Sequence, residues 1–340
     1  MKVLTCTSPG TFKYSEETIP TLSKRHAIIK LKRIGICGTD LHAFEGTQPY
    51  FNYPRVLGHE LAGELIDADD AGDFKKGEMV TLIPYFNCGT CIACRSGTPN
   101  CCVNLEVFGV HIDGGMKEYI SVPSYSLVHG MDLPAEMLAL AEPLAIGAHG
   151  IRRADVRPGE FVLVVGAGPI GLGLMEFAKI AGAKVIALDL NQQRLEFCRS
   201  HLGIDNIINA SADVVASLAS LKDITGGNMP TVVIDATGNL KAINNSFRYM
   251  AHGGRYVLVG LQKDDISFSH PEFHKREGTL MSSRNATRAD FEQVLNALRT
   301  KKIQPTNYIT HQVSFDDVGS EFENWLKPDS GVIKAMVQFS

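Results

Sequence analysis

The sequence predicts an α/β protein of two domains, one irregular and mostly β, the other built on a doubly wound parallel sheet. Three observations carry that expectation. The chain has 340 residues, too many for one ordinary core. Its texture changes near residue 144 and again near residue 284. Between those points, short apolar runs alternate with stretches of helical spacing, the pattern of a parallel sheet covered on both faces.

In chain order, residues 1–144 are rich in Gly, Pro and short β-type runs such as AIIKLKRIGI and EMVTLIPY, punctuated by turn clusters such as DADDAGDFKKGE. FVLVV (161–165) is fully apolar, as a strand buried on both faces requires. Residues 169–181 have helical spacing, KVIALD (184–189) is the next strand and 191–201 the next helix. VVIDA (232–236) and RYVLVG (255–260) continue the series. Beyond 284 the pattern loosens to one amphipathic helix (289–299) and a strand-like tail, VIKAMVQF, expected to return to the first domain. The expected division is 1–144 with 284–340, against 145–283.

Hydrophobic residues make up 44% and charged residues 21%, the profile of a soluble globular protein. A net charge of −4, with Lys and Arg scattered, leaves no footprint for nucleic acid or an anionic membrane. No apolar run has the length of a transmembrane helix, and the opening MKVLTCTSPG lacks a signal-peptide core. The expected compartment is the cytoplasm, where clustered cysteines mean metal or catalysis rather than disulfides.

Five of the eight cysteines lie in NCGTCIACRSGTPNCC, residues 87–102. The spacing Cys88-x2-Cys91-x2-Cys94-x7-Cys102 suits a tetrahedral, closed and therefore structural Zn²⁺ site, with Gly89 easing the tightest turn. Cys101 abuts Cys102, and by spacing alone either closes the tetrahedron. Cys6 and Cys198 read as small buried hydrophobes. A second donor set, Cys37 in GICGTDLH with His59 and Glu60 in VLGHELAGE, has the residue types of an open, catalytic zinc site. Adjacent side chains on an extended strand point apart, so His59 and Glu60 share an ion only if the backbone turns there or one binds intermittently. Glu142 in LAEPLAIGAHG is a fourth candidate.

VLVVGAGPIGLGLMEFAKIAGAKVIALD (162–189) holds Gly166, Gly168 and Gly171 in a G-x-G-x-x-G between strand and helix, with Pro169 and Ile170 opening the helix. The glycines serve the turn, the approach of backbone to a pyrophosphate and the packing of helix on strand, and the helix N-terminus faces the phosphates. Asp189, at the end of the next strand, suits the ribose 2′-hydroxyl of NAD and repels the 2′-phosphate of NADP. Arg194 is either an adenosine contact or a solvated helix residue. Thr237, Gly260 and Ser283 complete the candidate cofactor residues.

GICGTDLH, VLGHE, CGTCIACRSGTPNCC, AEPLAIGAHG and VVGAGPIGLG, collinear over the whole chain, resemble the zinc-dependent medium-chain alcohol and polyol dehydrogenases. The resemblance implies a GroES-like catalytic domain interrupted by a Rossmann domain. It also implies two zincs per chain: a catalytic ion on Cys37, His59 and Glu60, with Glu142 exchanging or partnering bound water, and a structural ion on Cys88, Cys91, Cys94 and Cys102. GTQPYFNYPRVLGHE, FGVHIDGG and FHKREGTLMSSRNAT look like the sugar-acid branch. The implied reaction is reversible hydride transfer between a secondary alcohol and NAD, with Thr39 and His42 relaying the proton to solvent. Arg284 and Asn285 match the polyol enzymes' substrate position, and Arg284 has the geometry to pair with a carboxylate. Phe44 and His111 are further pocket candidates. A homodimer or homotetramer is implied. The alternatives are a neutral polyol or L-threonine as substrate, or a catalytically silent NAD-binding protein, which would be expected to have lost Cys37, His59 or Thr39.

Overall fold

The computed structural model describes residues 1–48, 51–70, 72–210, 213–327 and 329–340. It divides into two compact units, Met1–Glu142 with Thr287–Ser340, and Pro143–Ala286.

The first unit centres on a mixed sheet. Its strands run in the order Leu127–His129, Met79–Leu82, Glu60–Ala68, His26–Gly35, Lys334–Gln338 and Ile309–Ser314. Strand His26–Gly35 buries Ala27, Ile29, Leu31 and Ile34, and register shifts at Ile28/Ile29 and Leu31/Arg33 break its simple alternation. The C-terminal strand pairs antiparallel with it, matching Gly35 to Met336, so the tail does close the first sheet. Helix Gly38–Glu45 follows that strand directly and packs Ala43 and Phe44 into the core.

The second unit is a parallel sheet in the order Asn206–Asn209, Lys184–Asp189, Phe161–Val165, Val232–Asp235, Arg255–Leu258 and Thr279–Ser282. The strand order reverses between Phe161–Val165 and Val232–Asp235, and open α/β sheets bind ligands outside the carboxyl ends at such a point. The expected strands and helices stand in place, with Pro169–Ile180 and Gln192–Leu202 as the helices flanking Lys184–Asp189. The two edge strands and helices Val214–Ile224, Leu240–Ser246 and His270–Lys275 lie beyond the sequence reading. NIIN and TLMS carry too little apolar pattern to announce a strand, because each edge strand is only partly covered. No helix of the described residues is long and apolar enough to cross a membrane.

Helix Pro169–Ile180 lies tight against the glycine turn. A Cβ on Gly171 would stand 1.9 Å from the Gly166 carbonyl oxygen, a contact no rotamer relieves. Gly171→Ala is therefore expected to cost at least about 1–3 kcal/mol, read as a lowered urea midpoint. An unchanged midpoint would mean that helix and turn can separate freely.

Candidate functional site

Three constellations follow from these folds, two in the first unit and one in the second. The four cysteines come first. Cys91 Sγ stands 3.4 Å from Cys94 Sγ and 3.8 Å from Cys102 Sγ, and Cys102 Sγ 3.5 Å from Cys88 Sγ. Thiolates about 2.3 Å from a tetrahedral zinc are about 3.8 Å apart, whereas a disulfide needs about 2 Å. The donor set thus fits zinc and excludes disulfides. Gly89 sits at φ 73°, the left-handed turn that brings Cys88 and Cys91 together. Cys102 is buried inside the cluster and Cys101 is exposed outside it, so the structure closes the tetrahedron with Cys102.

The thiols also behave as an anion cluster in want of a cation. Thr90, through its amide and hydroxyl, and the Cys91 amide pull Cys88 down to about 5. The Cys94 and Val103 amides lower Cys91. The Cys88 amide pulls on Cys102 too, yet burial and the neighbouring sulfurs push it up to about 11. Such divergence is what thiols do when they cannot all ionise side by side. Away from the cluster, burial raises Cys6 to about 11, and burial with the Asp189 charge raises Cys198 to about 12, leaving both as inert core residues.

The second constellation is buried. Donor atoms of Cys37, His59 and Glu60 all lie within 4.8 Å of one another. Cys37 is the N-cap of helix Gly38–Glu45, and Gly58, at φ 95°, turns the chain so that His59 precedes the strand that Glu60 begins. That turn answers the expectation that neighbours on a strand diverge. Asp40 ties the two turns together. Its carboxylate accepts from the Cys37 amide (2.9 Å) and the Gly58 amide (3.1 Å), and faces His59 Nδ1 at 3.8 Å. Burial raises the Asp40 pKa. Burial works to lower that of His59, but the charges of Asp40 and Cys37 outweigh it and hold the imidazole well above its ordinary value. His59 Nδ1 is an orphaned buried atom beside a carboxylate, the arrangement by which a metal-ligating histidine is oriented. Thiolate, imidazole and carboxylate fit zinc.

Glu142 lies outside that trio. Buried in the first turn of helix Ala141–Arg153, it accepts a hydrogen bond from the Tyr85 hydroxyl, and burial raises its pKa to about 6. Burial and the Glu142 charge push Tyr85 well above the phenol's usual value, so it remains the donor. Lys334 completes the centre, with Nζ bonded to both oxygens of Glu60. Asp40, Tyr85 and Lys334 escape the motif reading. For Lys334 a signal existed, a lone charge inside the apolar VIKAMVQF.

Thr39 and His42 share a face of helix Gly38–Glu45 at i, i+3. Thr39 is half-buried, and the His42 side chain is 62% exposed with Nδ1 3.2 Å from Glu45. Phe44 has its ring buried, 4.9 Å from Phe12 and 5.5 Å from Phe322, within the hydrophobic core of the first unit. His111 Nδ1 accepts the Val107 amide at 2.9 Å, which pins its turn.

The third constellation is the glycine turn of the second unit. Gly166 has φ 103° and Gly168 is the N-cap of helix Pro169–Ile180, with Pro169 in its first turn and Ile170 half-exposed beside it. Asp189 accepts from the Ala167 amide (2.6 Å) and the Asn191 amide (2.8 Å), which leaves each oxygen one further acceptor site. Arg194 Nη1 lies 3.9 Å from where a Gly168 Cβ would stand. At the end of strand Val232–Asp235, Asp235 accepts from Thr237 Oγ1 (2.6 Å) and the Gly238 amide (3.1 Å). A Cβ on Gly260 would stand 2.2 Å from that same amide. Ser283 is buried, and its hydroxyl has no hydrogen-bond partner among the described residues. Arg284 is exposed and Asn285 lies at φ 54°.

Comparison with known proteins accords with this geometry. Residues 23–134 match the alcohol dehydrogenase GroES-like domain and residues 169–300 the zinc-binding dehydrogenase domain. A relative in Escherichia coli K12, L-galactonate-5-dehydrogenase, is 43% identical over 340 residues, spanning 100% of this chain and 99% of its own. Sorbitol dehydrogenase of Halalkalibacterium halodurans is 32% identical, with 93% and 94% covered. The crystal structure of the rspB alcohol dehydrogenase of Escherichia coli CFT073, complexed with NADH, superposes with a TM-score of 0.92 at 30% identity, covering 100% and 99%. The first unit is thus a GroES-like domain and the second a Rossmann-type domain.

Cys94→Ser is expected to remove one metal ion per chain and to lower the thermal midpoint, while leaving the Cys37 centre loaded. Metal analysis with thermal unfolding checks this. Full metal content in the variant would overturn the four-sulfur assignment.

Proposed function

The chain belongs to the zinc-type medium-chain alcohol dehydrogenase family, and we propose that it transfers a hydride between a secondary alcohol of a sugar acid and NAD. The observation that carries this reading is the convergence of Cys37, His59 and Glu60 donor atoms within 4.8 Å, in a chain that also holds a dinucleotide fingerprint. When bound, zinc supplies Lewis-acid polarisation of a substrate hydroxyl, and NAD accepts the hydride.

The protein's own part is placement and proton transfer. Cys37, His59 and Glu60 hold the metal, and Asp40 keeps His59 in register. Thr39, two residues after Cys37, takes the hydroxyl proton, and His42, one turn on and exposed, delivers it to solvent. Glu142, with its raised pKa, holds or releases a proton near neutrality at the edge of the centre. In the second unit Gly166, Gly168 and Gly171 admit the pyrophosphate, Asp189 binds the adenosine ribose, and the unpartnered Ser283 hydroxyl is free to meet the cofactor. The remaining acceptor sites of the Asp189 carboxylate favour NAD over NADP. Two zinc ions per chain, one catalytic and one structural, follow from the two donor sets.

The sugar-acid assignment rests on the full-length similarity to L-galactonate-5-dehydrogenase, with Arg284 as the group that would read the carboxylate. A neutral polyol is the second reading, favoured by the similarity to sorbitol dehydrogenase. NADH formation across aldonates, polyols and L-threonine separates them. A silent NAD-binding protein is disfavoured by the presence of Cys37, His59 and Thr39.

Thr39→Ala is expected to cut kcat by about 100-fold or more while leaving NAD affinity nearly intact. Turnover at the original rate would take Thr39 out of the relay. Arg284→Lys is expected to raise KM for an aldonate far more than for the matching neutral polyol, and equal effects would refute a carboxylate-reading role.

A further inference from the structure

Three neighbouring strands bring Glu60 and Lys334 together across a residue without a side chain. Strand Glu60–Ala68 borders His26–Gly35, which borders Lys334–Gln338. Gly35 is paired with Glu60 on one side and with Met336 on the other. Lys334, two residues before Met336, is on the same face of its strand as Met336. A Cβ on Gly35 would stand 2.0 Å from Glu60 Oε2, so the glycine is what lets the carboxylate reach across.

Lys334 Nζ donates to Glu60 Oε1 (2.6 Å), Glu60 Oε2 (2.7 Å) and the Ile36 carbonyl (3.0 Å). All three ammonium protons are thereby committed, and the cation is fixed in place. Both side chains are shut off from water, at 0% exposure for Glu60 and 2% for Lys334. Glu60 is also one of the three converging metal donors. Its carboxylate offers two acceptor sites on each oxygen, and the lysine occupies one on each. A metal reaching Glu60 must share it with a cation that is already there, and the two positive charges repel.

We propose that Lys334 is a positioning residue that competes with the bound metal for Glu60, so that Cys37 and His59 grip the ion outright and Glu60 joins them only as a weakly held, exchangeable third ligand. This rests on the reading of Cys37, His59 and Glu60 as the catalytic metal centre. A lysine serving only as structural support predicts the opposite sign: its loss would loosen the centre and release metal faster.

The test uses zinc-loaded enzyme in alkaline buffer and follows metal extraction by EDTA. The phase belonging to this centre is the one missing in Cys37→Ser. In Lys334→Met that phase is expected to slow by about tenfold, the scale on which neighbours of metal ligands act. Lys334→Arg, which keeps the charge, should extract at the original rate, and Lys334→Met with Glu60→Gln should lose the gain. With Co²⁺ in the centre, Lys334→Met should weaken the visible bands, as an added permanent oxygen ligand raises the coordination number. Unchanged or faster extraction in Lys334→Met, with unaltered cobalt bands, overturns the competition. Lys334→Gln repeats the test should the methionine variant not fold. If Cys37→Ser removes no phase at all, the metal centre itself is wrong, which is a separate failure.

Discussion

Negative charge without water is the constraint around which the first unit is organised. Cys37, Asp40, Glu60 and Glu142 converge on one region where Lys334 is the single buried lysine or arginine among the described residues. Burial alone would drive the lysine toward neutrality, but the Glu60 charge outweighs it and raises its pKa. Anions packed this closely in a medium of low polarity need positive charge from somewhere. Protons supply part of it, on His59 and on Glu142 near neutrality. A divalent cation held by Cys37, His59 and Glu60 would meet the same demand in place of a proton on His59. Any metal affinity of this centre would therefore be as much a property of the surrounding carboxylates as of the donors themselves.

Close backbone approach is the second condition, and glycine meets it in both units. Gly35 clears the path for Glu60 as Gly171 clears it for the Gly166 carbonyl. The two cases differ in what comes close. In the second unit the neighbour is backbone, so the turn and helix become one rigid body against which a pyrophosphate can lie. In the first unit the neighbour is a carboxylate, so the glycine sets which charges can pair. Asp40 and Asp235 do related work at the polar ends of the elements. Asp40 joins two backbone segments, Cys37 to Gly58, and Asp235 holds the turn that follows its own strand through the Thr237 hydroxyl and the Gly238 amide. Carboxylates used in this way fix turn geometry where no regular hydrogen-bond ladder is present.

The dinucleotide turn was legible in the sequence because it is local. Strand, glycines, helix and Asp189 fall within residues 161–189, and their spacing alone implies their arrangement. The four cysteines were legible for the same reason, down to the open choice between Cys101 and Cys102 that burial resolves. The donor set of Cys37, His59 and Glu60 was legible only as residue types, since Cys37 lies more than twenty positions from the His59–Glu60 pair and no spacing rule joins them. What stayed hidden was pairing at long range. Tyr85 meets Glu142 across 57 positions and Lys334 meets Glu60 across 274. No periodicity encodes such encounters; they exist only once the strand order does. The packing of Phe44 was hidden for a related reason: the helix that Cys37 caps must bury a face somewhere, and Phe44 is on that face.

This contrast between local and distributed sites has a mechanical consequence. The cofactor turn depends on one strand–helix junction, whose integrity is decided within some thirty residues. The metal centre depends on the N-terminal strands, the start of helix Ala141–Arg153 and the C-terminal strand at once. Strand Lys334–Gln338 is held by antiparallel pairing to His26–Gly35 and parallel pairing to Ile309–Ser314. Only when this strand is in place does the buried lysine reach the carboxylate. The charge balance of the centre therefore depends on residue 334, although Cys37, His59 and Glu60 all precede residue 61. A centre assembled in that way is sensitive to any change that shifts the final strand by one residue, because a strand's side chains alternate faces and a single slip would turn Lys334 away from Glu60.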